Sequence, residues 1–113
     1  MSILTELNNL LNGLSVPVET GVFSGKAPEE YVVITPMADT YPVYADNRPQ
    51  AEIQEARLSL FSKSNYLNRK RQITKALLDA DFTVTSRLFV GREDDTGYYA
   101  YAIDVAKNYE LED

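Results

Sequence analysis

Apolar residues near the start of the chain recur at a helical interval: Ile3, Leu4, Leu7, Leu10, Leu11 and Leu14. Steps of three and four residues put them on one stripe of an amphipathic helix, with Ser2 placed to cap its start and Gly13 near its end. Val16, Pro17 and Val18 read as extended chain, with Gly21 and Gly25 flanking a loop. The run YVVITP, Tyr31 to Pro36, is β-branched and bounded by Pro28 and Pro36, which predicts a buried strand. From Thr40 to Pro49 the pattern is weaker. Tyr41, Val43 and Ala45 alternate with polar or proline positions, but Pro42 cannot donate in a ladder, so an edge strand or a long loop is expected, with the loop favoured.

Strict alternation returns at about Ile53 to Phe61, where Ala56, Leu58 and Leu60 form one apolar face. A second helix is expected from about Asn65 to Ala80, capped by Ser64 or Asn65. Tyr66, Ile73, Leu77 and Ala80 lie on its apolar stripe, helped by Leu67 and Ala76, and Arg69, Lys70, Arg71 and Lys75 take the other faces. Two strands close the chain. Phe82, Val84, Leu88 and Val90 should share a face in the first, and Tyr99, Tyr101, Ile103 and Val105 in the second. Gly91 and Gly97 bracket the REDDT loop between them, as in an antiparallel hairpin.

These elements predict a single α+β domain over residues 1–113: a mostly antiparallel sheet packed by two helices, in the order α-β-β-α-β-β, with an extra edge strand or long loop around 40–50. There is no repeat and no low-complexity tract. The first residues carry no positive segment of the signal-peptide type, and no apolar run is long enough to span a bilayer, so a cytoplasmic, non-membrane protein is expected.

Composition narrows the chemistry. The 113 residues include neither His nor Cys. Histidine-dependent triads, His-bearing zinc sites and thiolate chemistry are therefore excluded, whereas carboxylate, Lys or Tyr catalysis stays formally open. No spacing suggests two converging carboxylates, so no catalytic residue, cofactor or metal site is expected. The triplet Glu93, Asp94 and Asp95 lacks the spaced oxygen ligands of a calcium loop and reads as a solvated turn.

Charge distribution is the unusual feature. The chain carries 17 acidic and 11 basic residues, net −6. Yet Arg57, Lys63, Arg69, Lys70, Arg71 and Lys75 fall in a stretch without an acid between Ala56 and Leu78. Three readings stand side by side: a solvated helix face, a phosphate-binding footprint, or self-association in which the basic face of one copy meets an acidic face of the next. The acidity of the remainder opposes a nucleic-acid lattice. Opposite charges on separate surfaces of one chain suit head-to-tail association, and the grouped Tyr98, Tyr99 and Tyr101 place one ring opposite the other two, on the surface or at an interface.

The stretch YADNRPQAEIQEARLSLFSKSNYLNRKRQITKALLDADFTV, followed by EDDTGYYAYAIDVAKNYELE, resembles the tail terminator, or tail-to-head joining, proteins of long-tailed phages and Gram-positive prophages. The resemblance spans roughly residues 31 to 112 and consists of a strand, a basic helix and a Tyr-rich terminal hairpin. It implies a non-enzymatic ring, typically a hexamer, that caps the tail tube, stops its polymerisation and presents a surface to the head–tail connector. The partners expected are further copies of the chain, the tube protein and the connector, with DNA passing through unbound. The setting expected is the bacterial cytoplasm during assembly and then the virion tail or neck. On this view Arg69, Lys70, Arg71, Lys75 and Tyr98 are expected at a subunit or partner interface. Glu93, Asp94 and Asp95 are expected at the channel rim, and Tyr44, Asp46, Asn47 and Arg48 in a loop contacting tube or connector. The alternatives are a neck adaptor on the head side and a monomeric protein-binding module unrelated to phages.

Overall fold

Both helices form where the leucine spacing places them. The computed structural model describes residues 2–20, 28–45, 48–64 and 66–110. Helix α1 spans Ile3–Gly13, and the Ser2 hydroxyl accepts from the Thr5 N–H at 3.3 Å, satisfying one of the otherwise unpaired first-turn donors. Helix α2 spans Tyr66–Asp79; the cap expected at Asn65 lies outside the described residues. The two helices stop in the same way. Ser15 (φ 59°) and Asp81 (φ 66°) take the left-handed conformation, and Val16 N–H and Phe82 N–H reach back to the carbonyls of Leu11 and Leu77. The stop for α1 is thus Ser15 rather than Gly13, which lies inside the last turn.

Five strands follow the sheet order β1-β2-β3-β5-β4, with β1 at Val18–Thr20, β2 at Glu30–Ala45, β3 at Arg48–Ser62, β4 at Thr83–Arg92 and β5 at Tyr99–Glu110. Only β1 runs parallel to its neighbour; every other pairing is antiparallel. The fold is therefore α+β, a mostly antiparallel sheet with both helices on one face. The expected loop around Gly21 and Gly25 lies outside the described residues.

The helix-covered face is built from alternate residues of each strand. Val32, Ile34, Leu58, Leu60, Tyr101, Ile103 and Val105 meet Ile3, Leu7 and Leu11 of α1 and Ile73 and Leu77 of α2 in one core. Among the described residues the opposite face carries no helix. There Tyr31, Phe61 and Tyr98 pack together, with Tyr31 and Phe61 stacked at 5.0 Å and Tyr98 edge-on to both. Beside them Ala100, Ala102 and Ala106 are buried on β5, between β3 and β4.

Two departures from the sequence pattern matter. The first is the segment around 40–50, which is neither a separate edge strand nor a long loop. Residues 40–45 complete β2 and 48–50 open β3, so the two strands form one long hairpin that continues past the end of β5, where Ala51 meets Glu110. Pro36 and Pro42 sit inside β2 because, among the described residues, β1 covers that strand only at Val32–Ile34; a residue without an N–H fits where no neighbouring strand needs one. The hairpin makes the molecule elongated, 54 × 27 × 24 Å.

The second departure is in β4. Register shifts between Val84 and Ser86, and again between Phe89 and Gly91, insert extra residues into the strand. One extra residue reverses the alternation. Phe82 and Val84 face the core as expected, but Arg87 and Phe89 then follow on that face, opposite Ile103 and Tyr101. Leu88 is turned to the open face, and Val90 falls at the second shift. Leu88 and Val90 are thus exposed rather than in the core.

Candidate interaction surface

Most of the basic residues singled out by sequence are engaged inside the chain. Arg57 makes a two-pronged contact with Asp104 across neighbouring strands, at 2.7 and 3.0 Å, which holds the guanidinium charged above its ordinary range through that hydrogen bond and charge. Arg69 bonds the Glu30 carboxylate and donates to the Leu14 carbonyl and the Gln72 side chain, tying α2 to β2 and to the end of α1. Lys63 lies over the Tyr98 ring at 4.9 Å and Lys70 over Tyr101 at 4.8 Å. Lys75 pairs with Asp79 one helical turn away, and that contact raises its pKa. The basic stretch is largely an internal brace.

The expected interface residues therefore divide. Arg69 and Tyr98 are engaged within the chain. Tyr98 is 6% exposed, packs on Tyr31 and Phe61, and donates its hydroxyl to the Pro28 carbonyl, so it offers little to a partner. Its position opposite Tyr99 and Tyr101 is as expected, but the face it reaches holds an aromatic cluster. Arg71 is exposed on α2 and has no ion pair among the described residues. Arg87, which sequence reading passed over, is likewise exposed and unpaired on β4.

These two guanidiniums stand on the same side of the molecule. At 100° per residue, Leu67, Arg71 and Leu78 form the flank of α2 opposite Arg69 and Gln72. Arg69 reaches β2, whereas Tyr66 stacks on Phe89 and Tyr99 at 5.6 and 5.3 Å, so the Leu67 flank is turned toward β4. The large apolar side chains exposed here are Leu67 (44%), Leu78 (56%), Leu88 (59%), Phe89 (45%) and Val90 (64%). Strand β4 is also the end of the sheet, with its outer row of backbone groups unpaired among the described residues. Apolar side chains, free cations and an open ladder coincide on one flank.

The acidic groups lie elsewhere. Glu93, Asp94 and Asp95 occupy the β4–β5 turn and are exposed, with Asp94 3.5 Å from Arg92; no three acidic residues gather into a cation site among the described residues. At the other end of the sheet, Asp39, Glu55 and Glu110 have no ion pair among the described residues. Tyr44 and Arg48 are ladder positions near the tip of the β2–β3 hairpin, paired with Pro49 and Ala45, while Asp46 and Asn47 lie outside the described residues. An open groove of about 450 Å³ sits where β4 begins, lined by Ile53, Asp81, Thr83, Ala106, Lys107 and Asn108. Its one amine, Lys107, is already held by Glu6 and the Ala80 carbonyl.

The class defined by this geometry is a two-layer α+β protein with a projecting two-stranded arm and an open edge at β4 among the described residues. Comparison with protein-family models gives no match, and comparison with curated proteins gives none either.

Proposed function

We propose that the chain is a structural subunit of a phage tail, forming a ring that caps the tail tube, ends its growth and joins tail to head. The observation that carries this reading is the arm: β2 and β3 run on together beyond β5, past the part of the sheet that α1 and α2 cover. A pair of strands projecting from its own core loses apolar burial and regains it only against another surface. The arm suits contact with the tube or the connector, and an open β4 edge at the opposite margin of the sheet suits contact between neighbours in a closed ring. DNA would pass along a surface that repels phosphate, consistent with the net charge of −6.

Electron microscopy of particles from the parent phage or prophage lacking this gene tests the reading. Overlong or ragged tails without heads are expected. Filled heads beside free tails of normal length would place the protein in the neck, and intact infectious virions would remove it from assembly.

A further inference from the structure

We infer that β4 is a two-register strand: its bulged pairing exchanges with a slipped, bulge-free pairing in which Leu88 and Val90 turn toward the helices and Arg87 and Phe89 move to the open face. The exchange sets which side chains that face of the sheet offers, and it does not depend on the tail reading.

The bulged pairing leaves apolar surface uncovered. Thr85 and Val90 are the extra residues at the two register shifts, and Leu88 and Val90 are 59% and 64% exposed. Carrying the register of Thr83 and Val84 through the whole strand would instead pair Arg87 with Ala102, Leu88 with Tyr101, Phe89 with Ala100 and Val90 with Tyr99. Leu88 and Val90 would then join Phe82 and Val84 on the helix-covered face, which is the alternation written in the sequence.

Each pairing holds contacts that the other lacks, the condition for two packings of one sequence to coexist. The bulged one keeps Phe89 stacked on Tyr66 at 5.6 Å, and the Glu93 N–H donates to the Tyr98 carbonyl across the turn. The slipped one buries two aliphatic side chains and sets Phe89 beside the small Ala100, in line with Phe61. It also brings Arg87 diagonal to the Asp104 carboxylate, within reach of a long side chain. Little opposes the slip. β4 has one neighbouring strand among the described residues, so a single ladder is remade, and the β4–β5 turn takes up Gly91 and Arg92. Gly91 biases the choice. Its φ of 147° at the second shift is a conformation other residues rarely adopt, so the bulged pairing depends on glycine there.

Because the chain has no cysteine of its own, disulfide trapping reads the register directly. Leu88→Cys with Ala102→Cys reports the bulged register, where the two positions are opposite each other. Arg87→Cys with Ala102→Cys reports the slipped one, since in the bulged register these positions point to opposite faces, which a disulfide does not bridge. Val84→Cys with Ala106→Cys is the control, pointing to opposite faces in both registers. Cross-linking of the purified full-length chain in a glutathione buffer is followed by mass spectrometry, and circular dichroism verifies folding. The Arg87 pair should close roughly 10- to 1,000-fold more slowly than the Leu88 pair, as for a minor state of roughly 0.1–10%, yet at least about tenfold faster than the control. Adding Gly91→Ala should speed the Arg87 pair and slow the Leu88 pair. An Arg87 pair that closes no faster than the control, or that Gly91→Ala leaves unchanged, would overturn the inference. If a cysteine pair unfolds the chain, exchange-saturation NMR on the wild type decides. A minor state at Ser86 to Gly91 that Thr83 and Val84 lack is then expected, and its absence overturns the inference equally.

Discussion

The two margins of the sheet solve the same problem in opposite ways. Along β2, past the short cover of β1, two prolines interrupt the ladder and three register irregularities bend it. These features discourage an incoming strand. Along β4 there is no proline, and Leu88, Phe89 and Val90 stand exposed beside Arg87. Neighbouring side chains differ in the same sense. On the β2 side Arg69 is locked to Glu30 and the end of α1, while on the β4 side Arg71 has no ion pair among the described residues. Among the described residues, one margin is irregular and partly covered, and the other is a continuous open edge.

The largest expected effect separates what supports the β4 flank from the flank itself. Leu77 is fully buried beneath α2, and Leu78, the next residue, is exposed on the flank. Leu77→Ala should cost about 2–5 kcal/mol in chemical denaturation, whereas Leu78→Ala should stay within about 0.5 kcal/mol. A large loss from Leu78→Ala in the monomer would mean that the flank is already part of the core.

A smaller contrast is expected between the two arginines. Arg69→Met strands the partly buried Glu30 carboxylate and should cost about 1.5–3 kcal/mol by the same measurement, allowing for hydrogen bonds to a charged partner. Arg71→Met should be neutral within about 0.5 kcal/mol for the monomer, and any effect should appear in association instead. Equal losses at both positions would erase the distinction between a braced margin and an open one.

The smallest effect is alkaline. The Tyr109 phenol at the arm end is held well above its ordinary range, by burial first and then by the nearby charge of Glu6. Tyr31 is raised by burial and by neighbouring Tyr98 and Glu93. Both prefer the neutral form in the folded state. Their contribution to stability is therefore complete below the ordinary tyrosine value of 10.0 and is lost as pH rises from there through the folded values. Ultraviolet titration should show late-ionising tyrosines, and Tyr109→Phe should remove the latest step.

Much of the architecture was legible because period is a local property. The stripe Ile3, Leu7, Leu11 and the alternation Ala56, Leu58, Leu60 each report the face they bury, and all six are in the core. The basic stretch was legible only as composition. Arg69 finds Glu30 at a separation of 39 residues and Arg57 finds Asp104 at 47, and no spacing rule reaches that far. Arg87 and the exposed Leu88 were hidden for a different reason. The irregularity after Val84 flips the face of the residues from Ser86 to Phe89, until the second shift restores it, and a single extra residue leaves no mark in an apolar sequence.

The amino-acid order by itself determined the two helices, the strand-forming runs, the terminal hairpin and an α+β class, since each depends on residues a few positions apart. Tertiary structure alone decided that β2 passes through Pro36 and Pro42 into an arm, because a proline is tolerated only where the neighbouring ladder position is empty. It also decided which cations are spent inside the fold and which remain on the β4 flank, because that depends on which distant carboxylates and rings the sheet brings within reach.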